Sequence, residues 1–205
     1  MAEQSYEEEA SQFDQQDETS RTEEERAQEV ERRVTLRDIG GEAVWSLTTA
    51  KPGNGVEQIR DGKCETYWQS DGAQPHQINI QFHRKVTIAE VAFYLDYKLD
   101  ESYTPKKLSI RVGSTSHDLA EIKAIELTQP IGWVRCPLVS PIDATSPIRA
   151  HALQICIISM HQNGRDTHMR QCMVFGPRHE QQAVAHGRSL PKFTTVEFSQ
   201  FSTVR

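Results

Sequence analysis

A chain of 205 residues is long enough for one domain with extensions, or for two small domains. Its formal charge of −6 is unevenly spread: residues 1–33 hold twelve acids and four bases, net −8, which leaves +2 for residues 34–205. A remainder so close to neutral lacks the basic face that nucleic-acid binding needs, and no apolar run approaches the roughly 20 residues that cross a bilayer. Residues 1–33 are rich in Glu and Gln and poor in apolar side chains. They cannot bury enough surface to offset ordering entropy, so a disordered acidic arm is expected, with a transient helix over residues 22–33 supported by Glu–Arg pairs.

From Val34 the texture changes. "QINIQFH" puts Ile78, Ile80 and Phe82 on one face by strict alternation, and "KLSIRVG" does the same with Leu108, Ile110 and Val112. In "KVTIAEVAFYLDY" the phase slips: Val86 and Ile88 share one parity, Val91, Phe93, Leu95 and Tyr97 the other. One extra residue near Ala89 predicts a β-bulge or a bend there. "LQICII" is apolar on both faces, as in a central strand covered on both sides. "GWVRCPL" and "QCMVF" are shorter strands, and "AEIKAIEL" fits a strand or a helical turn. "KPGNG", "SDGAQP", "DESYTP", "QPIG" and "QNG" supply the turns between them. Many short strands with regular turns and no internal repeat predict an all-β sandwich over residues 34–178. Residues 179–205 open polar and end with scattered apolar side chains, the pattern of a docking tail.

The four cysteines, at 64, 136, 156 and 172, have no CxxC spacing, so the pattern predicts no structural zinc site. Two disulfides stay arithmetically open. The acidic, polar N-terminus carries no secretory signal, however, and free thiols in a soluble intracellular protein are expected. Trp45, Trp133, Tyr67 and Trp68 are expected in the core. Asp61 and Asp71 are calcium-capable in residue type alone, without an EF-hand pattern.

The densest polar stretch is "MHQNGRDTHMRQ", residues 160–171. Asn163-Gly164 is a turn signal, because both residues tolerate positive φ. The amide of Asn163 can match the N–H and C=O of an extended peptide, and Asp166 can accept from peptide N–H groups. Arg165 and Arg170 would contact a ligand or neutralise Asp166. The same residues fit a self-satisfied turn equally well. A hydrolase using His161 or His168 with Asp166 is a third reading; it lacks a nucleophile in any recognised context. The spacing of His161, Asp166 and His168 supports no metal site. A second loop, "LDESYTP", offers Asp100, Glu101, Ser102 and Tyr103 ahead of Pro105. On its residues alone the simpler reading is a solvated acidic turn.

Three strings, "DIGGEAVWSLTTAKPGNGVEQIRDGKCETYWQSDGAQPHQINIQF", "YKLDESYTPKKLSIRVG" and "MHQNGRDTHMRQ", occur in an order that resembles the Doc domain, in particular the Doc-domain subunits of the anaphase-promoting complex. The likeness runs from about Thr35 to Pro177 and includes the last residues. It implies a jelly-roll β-sandwich of the galactose-binding type. The implied role is non-enzymatic: holding destruction-box substrates of a ubiquitin ligase together with a WD40 coactivator, in the nucleus and cytoplasm of dividing cells; no cofactor is expected, and a structural metal stays open. By the same resemblance Ser102, Asn163 and Asp166 fall on degron-facing positions, with Tyr103, His161, Arg165 and His168 beside them. Val204 and Arg205 fall where family members carry an Ile-Arg terminus that docks on a tetratricopeptide-repeat subunit; the cullin-like subunit is a further implied partner. The acidic arm lies outside the shared pattern. A carbohydrate-binding module, common in this fold class, is the rival reading, and Tyr103 is its only obvious aromatic platform.

Overall fold

The computed structural model describes residues 31–32, 34–140 and 147–178. The chain divides into two compact units, Arg37–Pro177 and a smaller one made of Met1–Leu36 with Arg178–Arg205. Most of the expected acidic arm with its residue 22–33 helix, and nearly all of the C-terminal tail with Val204 and Arg205, lie outside the described residues. No helix among the described residues is long and apolar enough to cross a membrane.

The strands are β1 (Leu36–Asp38), β2 (Ala43–Leu47), β3 (Trp68–Gln69), β4 (His76–Ile88), β5 (Glu90–Asp96), β6 (Pro105–Gly113), β7 (Ala120–Glu126), β8 (Ile131–Pro137), β9 (Ile148–Met160), β10 (His168–Met169) and β11 (Gln171–Pro177). Among the described residues, two short helices, α1 (Val56–Arg60) and α2 (Tyr97–Asp100), lie between strands. One sheet runs β1-β11-β5-β8 and a second runs β2-β4-β9-β6-β7, with β10 and β3 forming a separate pair. The described ladders are antiparallel. This is the expected all-β sandwich.

Alternation decides which side chains meet between the sheets. Ile78 and Ile80 of β4 lie opposite Ile155 and Leu153 of β9, and Leu108 and Ile110 of β6 lie opposite Ile157 and Ile155. All are buried, and with Phe82, Val91, Phe93, Leu95 and Val174 they form one core. The ambiguous segment "AEIKAIEL" is a strand, β7, paired with β6. The phase slip at Ala89 is a bend and not a bulge within one strand. β4 ends at Ile88 in the five-stranded sheet, and β5 starts at Glu90 in the other. Ala89 forms the corner, donating its N–H to Phe175 O (2.8 Å) and accepting from Leu138 N (2.8 Å). A strand that crosses between sheets must turn its other parity inward, so Val91, Phe93 and Leu95 face the core that Ile88 faces.

Strand β9 is central, and it is buried on its second face too. There Gln154, opposite Asn79 and Arg111, donates to Asn79 Oδ1 (2.8 Å). Trp68 is wholly buried, and Trp45 packs half-buried against the core with its indole N–H on Gly40 O (2.8 Å). Trp133 departs from expectation. On the outward face of edge strand β8 it stays 39% exposed, packed edge-on against Tyr94 with ring centroids 5.6 Å apart. Tyr67 does not enter the sandwich core either; it is half-buried and stacks on His168. All four cysteines are free thiols, and burial pushes Cys136 up to about 11 and Cys172 up to about 12, so neither is a reactive thiolate at neutral pH.

Phe93 is fully buried directly after the corner, so Phe93→Ala removes core volume that the second sheet cannot refill. A loss of about 3–5 kcal/mol is expected, read as a lower denaturant midpoint at unchanged slope.

Candidate functional site

The two polar loops meet at one rim of the sandwich, where β5 and β9 finish and β6 begins. After β5, the Asp96 carboxylate accepts the N–H groups of Lys98 (3.0 Å) and Leu99 (3.2 Å) and so starts α2. A 3-10 turn, Glu101–Tyr103, follows. After β9 comes a second 3-10 turn, His161–Asn163. The His161 N–H donates to Thr104 O (2.9 Å), Thr167 Oγ1 donates to Tyr103 O (3.3 Å), and Gln162 Nε2 donates to the Tyr97 hydroxyl (3.1 Å). Ser102 and residues 163–166 therefore belong to one surface. Asn163, Arg165 and Tyr103 are exposed, and Ser102, His161 and Asp166 are half-buried.

The expected Asn163-Gly164 turn is displaced by one residue. Positive φ falls on Gln162 (52°) and Asn163 (57°), whereas Gly164 has φ −56°. Glycine is required for a different reason: a Cβ at Gly164 would lie 1.9 Å from Ser102 O. The missing side chain is what lets one loop rest on the backbone of the other.

Three residues that sequence reasoning did not single out hold residues 164–167 from below. Ser70 Oγ donates to Asp166 Oδ1 (3.2 Å) and accepts the Thr167 N–H (2.9 Å). Gln74 Nε2 donates to the carbonyls of Gly164 (2.9 Å) and Arg165 (3.2 Å). Buried His76 places Nε2 2.8 Å from Arg165 O; a carbonyl only accepts, so that nitrogen carries the proton. One signal was available. His76 shares parity with Ile78, Ile80 and Phe82, and a histidine in an inward row implies a specific partner. Ser70 and Gln74 carry no pattern of their own.

Ser70, His76 and Asp166 have the residue types of a hydrolytic triad, and Ser70 Oγ lies 3.2 Å from His76 Nε2. The wiring still differs: the serine hydroxyl donates to the carboxylate, and Nε2 spends its proton on the Arg165 carbonyl, so it is no base for the serine. The hydrolase reading with His161 or His168 finds no shared carboxylate either. The partner of His168 is Asp100, whose Oδ1 lies 3.0 Å from Nδ1. His168 is only 8% exposed and is clasped between the rings of Tyr103 (centroids 4.2 Å, 11° between planes) and Tyr67 (4.2 Å, 25°). It forms part of the rim's wall, not a surface contact. Arg170, expected to contact a ligand or to neutralise Asp166, is buried and pairs with Asp100: Nη2 to Oδ1 (2.8 Å) and Nε to Oδ2 (2.9 Å). It also donates through Nη1 to Cys64 O (2.8 Å).

Burial alone would push the Asp100 carboxyl up. The hydrogen bonds from His168 and Arg170, together with the Arg170 charge, outweigh it and hold Asp100 below the usual carboxylate range. Burial first, and then nearby Lys106, hold His161 below the ordinary histidine range, which leaves it neutral at pH 7. Asp61 spends its oxygens on Thr66 Oγ1 (2.6 Å), Lys63 N (2.8 Å) and Gln171 Nε2 (2.8 Å), as a turn brace. Among the described residues, no three His, Cys, Asp or Glu side chains cluster as metal ligands would.

The two-sheet sandwich with a loop rim at one end has the galactose-binding-like fold. The family 32 CBM from Clostridium perfringens NanJ, solved in complex with galactose, shares this fold with a TM-score of 0.57. The match covers 68% of this chain and 98% of that one at 14% identity. Sequence comparison is more specific. The chain belongs to the family "Anaphase-promoting complex, subunit 10 (APC10)", whose profile matches residues 12–203. Anaphase-promoting complex subunit 10 of Mus musculus is 48% identical over 177 residues, covering 86% of this chain and 92% of the relative. The protein of the same name from Drosophila melanogaster is 48% identical over 180 residues, covering 85% and 88%.

Gly164→Ala should force the two loops apart and cost about 1–3 kcal/mol, with faster hydrogen exchange at the His161 N–H as its local mark. Because the Asp100 pKa is depressed on folding, its contribution is complete above the unfolded value of about 3.9 and is lost as pH falls through the folded value. The gap in melting temperature between the parent and Asp100→Asn should therefore narrow below about pH 4 in thermal melts.

Proposed function

We propose that the chain is a non-catalytic subunit of the anaphase-promoting complex, a ubiquitin ligase, and that its rim holds destruction-box degrons jointly with a WD40 coactivator. The observation that carries the reading is the convergence of Ser102 with Asn163 and Asp166 at one rim, over a contact at Gly164 too close for any side chain. Asn163 presents an amide donor and acceptor side by side, and Asp166 and Ser102 add acceptors and a hydroxyl, a set matched to the main chain of an extended peptide. A destruction box is a short disordered segment, so ordering it offsets much of the binding energy and each half-receptor alone binds weakly. Presenting two half-sites together raises affinity through effective concentration. The outcome is slower substrate release and more ubiquitins per encounter, while the chemistry is done elsewhere in the assembly.

The sugar-binding reading needs an aromatic platform at the same rim. Tyr103 has one ring face committed to His168, which favours the peptide reading. Assembly rests on the tail: Val204 and Arg205 dock on a tetratricopeptide-repeat subunit, and the cullin-like subunit is a second neighbour. Action in the nucleus and cytoplasm follows from this role.

Three hydrogen-bonding groups at about 1 kcal/mol each make the joint change of Ser102, Asn163 and Asp166 to Ala cost about 3 kcal/mol, roughly a hundredfold in substrate residence. Processivity on destruction-box substrates should fall with complex assembly intact; unchanged processivity refutes the site. Deleting Val204 and Arg205 should lower incorporation into the ligase. Val204→Ile should raise tail affinity by about 0.8 kcal/mol, measured by titration against the repeat subunit.

A further inference from the structure

We propose that Asp100, which nothing in the family likeness singles out, is the positioning residue of this rim, setting the spacing between Ser102 on one side and Asn163 with Asp166 on the other. The inference rests on the degron reading and adds a buried residue that touches no ligand.

Asp100 immediately precedes the Glu101–Tyr103 turn and is 5% exposed. Its two oxygens accept three charge-assisted hydrogen bonds, one from His168 and two from Arg170. Through Arg170 Nη1 and Cys64 O the link extends to a third segment, and Tyr67 from that segment covers the imidazole face opposite Tyr103. One carboxylate thus ties the Ser102 loop, the start of β10 and the segment after α1. The bonds that join the two loops directly, His161 N–H to Thr104 O and Thr167 Oγ1 to Tyr103 O, are neutral. Among the described residues, five buried side-chain polar atoms have no hydrogen-bond partner, and four of them, His76 Nδ1, Thr104 Oγ1, His161 Nε2 and His168 Nε2, belong to the rim or its floor. Beside these neutral bonds, the charged ones made by Asp100 are the stronger directional constraint on the loop spacing.

The informative variant is Asp100→Asn, made in the full chain and assembled into the reconstituted ligase. It keeps the side-chain volume but turns an N–H₂ group toward the Arg170 donors. Residence of a destruction-box substrate should fall about tenfold or more, with incorporation into the ligase unchanged. Gln154→Leu is the matched control: it removes an equally buried polar group on the far face of β9, and it should lower thermal stability while leaving residence unmoved. An Asp100→Asn effect no larger than that of Gln154→Leu at equal loss of stability overturns the positioning role. If the Ser102, Asn163 and Asp166 triple variant loses residence and Asp100→Asn does not, the inference falls and the degron reading stands. If the triple variant itself retains substrate normally, the degron reading falls and takes the inference with it.

Discussion

The contact between Ser102 O and Gly164 sets the form of the rim. Two loops, from the β5–β6 and β9–β10 connections, lie so close that a methyl group at Gly164 would sit 1.9 Å from the carbonyl oxygen. Backbone against backbone is the tightest approach two loops can make, and it leaves no slack for their side chains to drift apart. Around it lie the His161–Thr104 and Thr167–Tyr103 hydrogen bonds. They work together because each loop starts from the end of a strand that the core already holds. Rim geometry is therefore inherited from the sandwich, and the corner at Ala89 contributes by passing the chain from the sheet containing β4 to the one containing β5.

Such stiffness suits the receptor role proposed for this rim. A disordered peptide loses backbone freedom of about 1–2 kcal/mol per ordered residue on binding, and a receptor that also had to order its own loops would add to that cost. Here the ordering is done at folding. Ser70, Gln74 and His76 hold the carbonyls and the carboxylate of residues 164–167, and Asp100 with Arg170 holds the opposite loop. A buried ion pair is a poor source of stability, because desolvation cancels much of the attraction. Its directional bonds nonetheless define one arrangement of the groups around it.

Much of this was legible in the sequence, for reasons that mark where legibility ends. Period-two alternation in "QINIQFH" and "KLSIRVG" reported the core face because only one face of those strands is apolar. The parity slip at Ala89 reported a real discontinuity, but alternation cannot distinguish a bulge from a change of sheet: both move side chains to the other face. Trp133 was misplaced because aromatic size predicts burial only on average, and an edge strand exposes its outward row. Asn163-Gly164 marked a turn, yet the positive φ values fell on Gln162 and Asn163. Gly164 answers to a residue sixty-two positions earlier, and no local rule sees that contact.

The same limit separates the residues that line the rim from those that support it. Ser102, Asn163 and Asp166 stand in distinctive strings and are exposed or half-buried; side-chain chemistry alone marked Asn163 and Asp166 no more than a self-satisfied turn would, and it was the resemblance that pointed to Ser102. Asp100 stands in one of those strings too, but as a carboxylate ahead of an acidic turn it looks solvated. Only the long-range arrival of His168 and Arg170, sixty-eight and seventy residues later, makes it a buried counter-ion. His168 shows the converse: in sequence it reads as a ligand contact beside Asp166, and in the fold two tyrosine rings and a carboxylate make it part of the wall. A polar residue in a binding loop can face the ligand or hold the loop in place. What decides between the two is the partner the fold brings to it, which for Asp100 and His168 is the other.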